Sequence, residues 1–215
     1  MATRLKTQTI WLPKPTWGNH TAIFKNSGLN VKSYGYWNKE NKNLDFENLI
    51  MDLKSAQPGD AVLLHAVAHN PTGIDPTEDQ WLSILQIVQE RKLLPLIDNA
   101  YQGFASGDLD KDAFSIRLFY DAGVEFFVAQ SFAKNMGLYG ERFGMLHCVC
   151  NSGDRADAVL SQLKLVIRAM YSSPPIHGGQ IVARVLGNNE LYNEWAADVK
   201  LMADQIDRNR KALRM

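Results

Sequence analysis

Three apolar runs, AVLLHAV (61–67), LLPLID (93–98) and VEFFVAQ (124–130), set the terms on which this chain can fold. A strand with one wet face alternates apolar and polar side chains. These runs do not, so each predicts a strand buried on both faces. Between the first two lies TEDQWLSILQIVQERK, where Trp81, Ile84, Leu85 and Val88 recur at helical spacing. Thr77 and Gln80 at its start form a capping-box pattern. Between the second and third, DAFSIRLFYDAG (112–123) predicts one helix ended by Gly123. Strand–helix–strand repetition requires right-handed crossovers, and hence an α/β fold with a mostly parallel sheet and helices on both faces.

FGMLHCVC (143–150) predicts a further strand. The chain then turns helical through RADAVLSQLKLVIRAM, breaks at Pro174-Pro175, and resumes in GGQIVARVLG and a long run from NELYNEWAADVK onward. No repeat or linker divides it, so residues 1–215 are expected to form a single α/β unit. Its last helix, from 188, is expected to stop mid-pattern at Met215.

Composition removes several classes of function. Lys+Arg and Asp+Glu balance at 23 each, which gives no electrostatic footprint for nucleic acid or an anionic membrane. No apolar run approaches the ~20 residues of a membrane span. The start, MATRLKTQTIWLPKP, shows no apolar segment of the secretory kind, and the residues before LPKPTWGNH are not expected to act as a presequence. The two cysteines, Cys148 and Cys150, fall two apart on a predicted strand and read as sheet interior. With no disulfide framework, a reducing, intracellular setting is expected. Asn19-His20-Thr21 fits a glycosylation sequon by chance.

In open α/β sheets, ligands bind outside the carboxyl ends of the strands. The first run is followed by His69-Asn70-Pro71-Thr72-Gly73. The second ends in Asp98 and continues Asn99-Ala100-Tyr101-Gln102-Gly103. The third is followed by Ser131, Lys134 and Arg142. A lysine amine condenses with a carbonyl to give a Schiff base, and a pyridinium ring needs an acid beside its nitrogen. Arginine, a serine hydroxyl and backbone N–H groups suit a phosphate. Trp17 offers a flat face for stacking. Together these demands describe pyridoxal 5'-phosphate. Each residue also has a plainer reading: Lys134 as a solvated lysine, Asp98 as a turn cap, Trp17 as packing, His-Asn-Pro-Thr-Gly as a simple turn. His20, His65 and His69 invite a zinc reading, but no cysteine or carboxylate spacing supports it, and no metal is expected. No G-x-G-x-x-G follows any strand, which leaves a dinucleotide enzyme without support.

The segments LPKPTWGNH, AHNPTGIDPT, IDNAYQGFASGDLDKDAF, SFAKNMGLYGERFG and IRAMYSSPP, in this order along the chain, resemble the aspartate aminotransferases, a pyridoxal-phosphate-dependent family. The resemblance implies that family's large-domain fold and a set of roles. Lys134 would carry the cofactor as a Schiff base and then move the proton at the substrate Cα. Asp98 would keep the pyridine nitrogen protonated. Asn70 and Tyr101 would bond the phenolic oxygen, Trp17 would stack on the ring, and Ser131 and Arg142 would bind the phosphate. Trp17 and Asn70 would also touch substrate. His20 and His65 would sit behind Asp98, and Arg168 would read a distal carboxylate from the other subunit of a homodimer.

The resemblance further implies amino-group transfer between L-aspartate and 2-oxoglutarate, giving oxaloacetate and L-glutamate. Family members are longer at both ends. The chain is therefore expected to be the central part of the large domain. The first sheet strands and a Ser-Gly-Thr phosphate loop would lie before it, and the small domain with an α-carboxylate arginine after residues 188–215. A truncated, non-catalytic fragment that binds cofactor weakly, or pairs with a full-length subunit, is the alternative. An intracellular protein is implied, mitochondrial or cytoplasmic, with NMGLYGERFG favouring the mitochondrial kind. Two positions depart from the pattern: Ser173 stands where the family has asparagine, and Asn99 replaces a small or hydroxyl residue.

Overall fold

The computed structural model describes residues 8–213. Met1–Thr7, about half of the start read above for targeting signals, lie outside the described residues, as do Arg214 and Met215. The chain opens with β1 (Thr9–Lys14), α1 (Asn19–Asn26) and β2 (Asn30–Gly35), then a small hairpin of β3 (Trp37–Asn38) and β4 (Asn43–Leu44). Next come α2 (Phe46–Ser55), β5 (Ala61–His65), α3 (Glu78–Arg91) and β6 (Leu94–Asn99). Two short helices, α4 (Leu109–Asp112) and α5 (Phe114–Asp121), lead to β7 (Phe126–Ser131) and β8 (Gly144–Val149). The helices α6 (Gly153–Met170), α7 (His177–Leu186) and α8 (Asn189–Ala212) follow.

Six strands form one sheet in the order β2-β1-β5-β6-β7-β8. All neighbours are parallel except β7 and β8, which run antiparallel. The three apolar runs are its centre, and their lack of alternation is explained by two cores. Val62, Leu64, Ile97 and Val128 point to one face, against Leu49 and Leu53 of α2, Trp81, Ile84 and Val88 of α3, and Phe119 of α5. Ile10, Leu12, Ala61 and Leu63 point to the other, where Phe24 of α1 packs. The Thr77 capping box is present in full: its side chain accepts from Gln80 N–H while the Gln80 side chain accepts from Thr77 N–H.

Four features differ from the sequence reading. The helix expected over 112–123 is two helices that meet at Ala113. Asp108 caps the first by accepting from the N–H groups of Asp110 and Lys111, and the buried Asp112 carboxylate serves the N–H groups of Gly103, Ala105 and Ser106 instead of facing water. The strand over 143–150 lies at an edge, so its residues Gly144–His147 are exposed. Cys148 and Cys150 are accordingly half-buried rather than sheet interior, and Cys150 lies past the end of β8. Finally, β1 and β2 supply strands the sequence did not reveal. Proline in TIWLPK argues against an interior strand, and β1 tolerates Pro13 because only Ile10 and Trp11 pair with β5. NVKSYG is polar because β2 is the opposite edge.

Candidate active site

Parallel pairing brings the strand ends into line. His65 on β5 is in register with Asp98 on β6, and Asp98 with Ala129 on β7, so the residues that follow each strand emerge on one side of the sheet. There they enclose a cavity of about 540 Å³ lined by Trp17, Asn70, Asp98, Tyr101, Ser131, Lys134 and Arg142. Every residue expected to hold the cofactor is therefore brought together. Lys134 sits in a tight turn closed by Gly137 N–H donating to its carbonyl, and its Nζ lies 5.2 Å from the centre of the Tyr101 ring. Arg142 holds a left-handed backbone (φ 53°), and its Nη1 donates to Tyr139 O at 3.1 Å. Gly144 behind it has no room for a side chain: a Cβ there would fall 2.5 Å from Gln130 O on β7.

Asp98 is held from behind by a chain of hydrogen bonds. Asn70 N–H donates to His65 Nδ1 (3.4 Å), and His65 Nε2 lies 3.2 Å from Thr16 Oγ1. Thr16 Oγ1 is 2.8 Å from His20 Nδ1, and His20 Nε2 is 3.2 Å from Asp98 Oδ2. One assignment satisfies every link: both histidines carry their proton on Nε2, Thr16 donates to His20, and His20 donates to Asp98. Burial, the largest cause, pushes the His65 pKa from 6.5 down to about 4; nearby His20 adds to this and Asp98 opposes it. The imidazole thus stays neutral, as the chain of donors requires. Burial and the same two neighbouring imidazoles hold His69 lower still.

His20 and His65 stand where they were expected. Thr16, which joins them, was not foreseen; its place inside LPKPTWGNH was the available signal. The structure also supplies what the zinc reading lacked, a carboxylate. Ligand atoms of His20, His65 and Asp98 lie within 4.8 Å of one another, each already engaged with a protein partner. Arg168 is the residue the fold does not bring in. It sits exposed near the end of α6, donates to Ser172 Oγ, and does not line the cavity. Ser173 adjoins it in an exposed turn, its N–H donating to Tyr171 O.

Asn70, Tyr101 and Lys134 also line an adjoining cavity of about 540 Å³, with Thr72, Asp75 and Arg210. The lysine therefore stands between two open volumes. What the donor set accepts can be read from its chemistry. It offers a carboxylate, a phenol, an amide and an amine, with a hydroxyl and a guanidinium on the same wall. Beside them are the 41% exposed Trp17 indole and the small side chains of Ala100 and Ala129. A flat, phosphorylated, carbonyl-bearing ring meets every one of those groups.

A lysine and an aspartate lining one cavity at the carboxyl ends of parallel strands place the chain among α/β folds with a ligand site at the strand ends. The sequence matches the family described as Aminotransferase class I and II over residues 1–215, and the chain belongs to that family. It is 56% identical over 206 residues to the cytoplasmic aspartate aminotransferase of Oryza sativa subsp. japonica, covering 96% of this chain and 51% of that protein. An aromatic-amino-acid aminotransferase from Burkholderia pseudomallei, solved covalently bound to pyridoxal phosphate, superposes with TM-score 0.96 at 41% identity, over 99% of this chain and 53% of that one. The cytoplasmic aspartate aminotransferase of Saccharomyces cerevisiae gives 0.93 at 43% identity, over 97% and 52%. The chain thus spans about half the length of the relatives it matches. Relatives are variously named cytoplasmic, chloroplastic and mitochondrial.

Proposed function

We propose that this chain is the cofactor-holding part of an aspartate aminotransferase, which moves an amino group from L-aspartate to 2-oxoglutarate and releases oxaloacetate and L-glutamate. The observation that carries the reading is the convergence of Asp98, Tyr101 and Lys134, from two neighbouring strand ends, on one cavity that also holds Ser131 and Arg142. Pyridoxal 5'-phosphate, when bound, supplies an electron-withdrawing ring that stabilises negative charge at the substrate Cα. The protein's own groups do the rest. Lys134 would hold the cofactor through its amine and would move the proton at the substrate Cα. Asp98, bonded to His20, would keep a proton at the ring nitrogen. Asn70 and Tyr101 would hold the phenolic oxygen, Trp17 would cover the ring, and Ser131 and Arg142 would bind the phosphate.

Arg168 would complete the site from a second copy. Its guanidinium is exposed and lies outside its own cavity, where Arg142 is the one arginine among the described lining residues. A planar two-bond fork of this kind reads a carboxylate as lysine cannot. The same observation favours a second reading, in which the chain alone holds cofactor weakly and works only beside a longer subunit. The setting is intracellular, and NMGLYGERFG favours the mitochondrial type.

The test follows label from [15N]aspartate into 2-oxoglutarate, with the protein in its full polypeptide. Labelled glutamate should form, and Arg168→Leu should cut the rate with aspartate while sparing alanine as donor. Equal loss for both donors would make Arg168 a structural residue and remove the basis for the dicarboxylate assignment.

A further inference from the structure

The segment that carries Asn70 folds back on itself between β5 and α3. Ala68 takes a left-handed backbone (φ 49°), which an alanine adopts only when its surroundings impose it. This bend turns two successive N–H groups the same way. Ala68 N–H donates to Asp75 Oδ2 at 2.7 Å and His69 N–H to Asp75 Oδ1 at 2.9 Å. Successive N–H groups beside a left-handed residue make a small concave anion site, and here the anion is the chain's own carboxylate. The loop is closed further by Gly73 N–H on His69 O (2.7 Å) and by Tyr36. The Tyr36 hydroxyl donates to Ile74 O at 2.7 Å while its ring stacks on His69 at 3.7 Å.

Asn70 follows the bend directly. It lines both cavities beside Lys134, yet among the described residues its side chain has no hydrogen-bond partner in the protein. Its direction is therefore set by the backbone that Asp75 clamps. Burial, the largest cause, raises the Asp75 pKa above its ordinary value, and the N–H groups of His69 and Ala68 and, more weakly, Arg210 on α8 oppose it.

We propose that Asp75 is a positioning residue: its carboxylate fixes the Ala68–His69 bend that aims Asn70 into the Lys134 cavity. It would thereby set how tightly the cofactor's phenolic oxygen is held. The proposal rests on the reading of the cavity as a pyridoxal-phosphate site, and its test keeps the two apart. Pyridoxal phosphate affinity is measured for the wild type, Asp75→Asn, Asn70→Ala and the double variant, and amide hydrogen exchange is followed over residues 66–74.

An asparagine in place of Asp75 keeps one acceptor and turns an NH₂ toward an N–H, so the bend should loosen. Affinity should fall roughly tenfold in each single variant, a loss typical of a charge-assisted hydrogen bond. The double variant should be no weaker than Asn70→Ala, because Asp75 acts through Asn70. Independent losses that multiply would overturn the proposal. If the wild type binds no pyridoxal phosphate, the cofactor reading fails and exchange decides the clamp. Faster exchange at Ala68 and His69 alone supports it, and unchanged exchange refutes it. Should Asp75→Asn not fold, Asp75→Glu, which keeps the charge but displaces it by one methylene, goes through the same cycle with the same criterion.

Discussion

His65 shows how one side chain ties stability to the chemistry beside it. It is 6% exposed, bonded to Thr16, and held neutral with its pKa near 4 rather than 6.5. Between those values the unfolded chain binds a proton that the folded protein refuses. Stability should therefore be complete above about pH 6.5 and decline as pH falls through the window, by roughly 1.4 kcal/mol per unit for this group. Urea unfolding at a series of pH values should show that slope, and His65→Gln should flatten it; an unchanged slope would exclude His65 as its source. Asp98 is the neighbour to which the proposed function assigns a role in turnover. Asp98→Asn removes the charge at the ring nitrogen while keeping the shape, and should lower kcat by about 10³-fold or more. A variant within tenfold of wild type would remove the assigned role. Lys134, Asp98, Tyr101 and Asn70 were legible in the sequence because each follows a strand that could be recognised. Thr16 and Asp75 were not, since a threonine or aspartate in a loop carries no periodicity, and only the folded backbone shows what each one holds.

The central strands and α3 were equally legible, because burial on two faces and a capping box both leave marks on consecutive residues. Elements at or near an edge leave weaker marks, which is why β1 and β2 went unread and Cys148 and Cys150 were read as interior. The two edges also differ from each other. β2 carries Asn30, Lys32 and Ser33, the polar and charged side chains that discourage strand addition, and Lys32 folds its ammonium over Trp11 at 4.9 Å. β8 carries Met145 and Leu146, 49% and 43% exposed. Beside it α6 has no buried residue, with Leu160 and Leu165 about half exposed. An apolar open edge of this kind is a template for association. Leu146→Lys should shift the 215-residue chain toward smaller species in sedimentation at equal concentration. An unchanged distribution would mean that association, if present, uses another surface.

At the scale of the molecule, the sheet acts as an alignment device. Parallel pairing places His65, Asp98 and Ala129 in register, and the loops beyond them need only short reaches to meet at one cavity. The position of Arg168 outside the cavity leads us to expect little turnover from the 215-residue chain alone. Orientation of bound reactants can contribute ~7–11 kcal/mol to a barrier. Cofactor attachment asks less of the protein than turnover does, and it tests the central claim directly. The chain is mixed with pyridoxal 5'-phosphate, its visible absorption is recorded, and borohydride is added before peptide mapping. The account predicts an absorption band that reduction abolishes, with the pyridoxyl mass on the peptide containing Lys134 and none in Lys134→Ala. A folded protein that gives no band, or label spread over surface lysines at the same level in both, would contradict it.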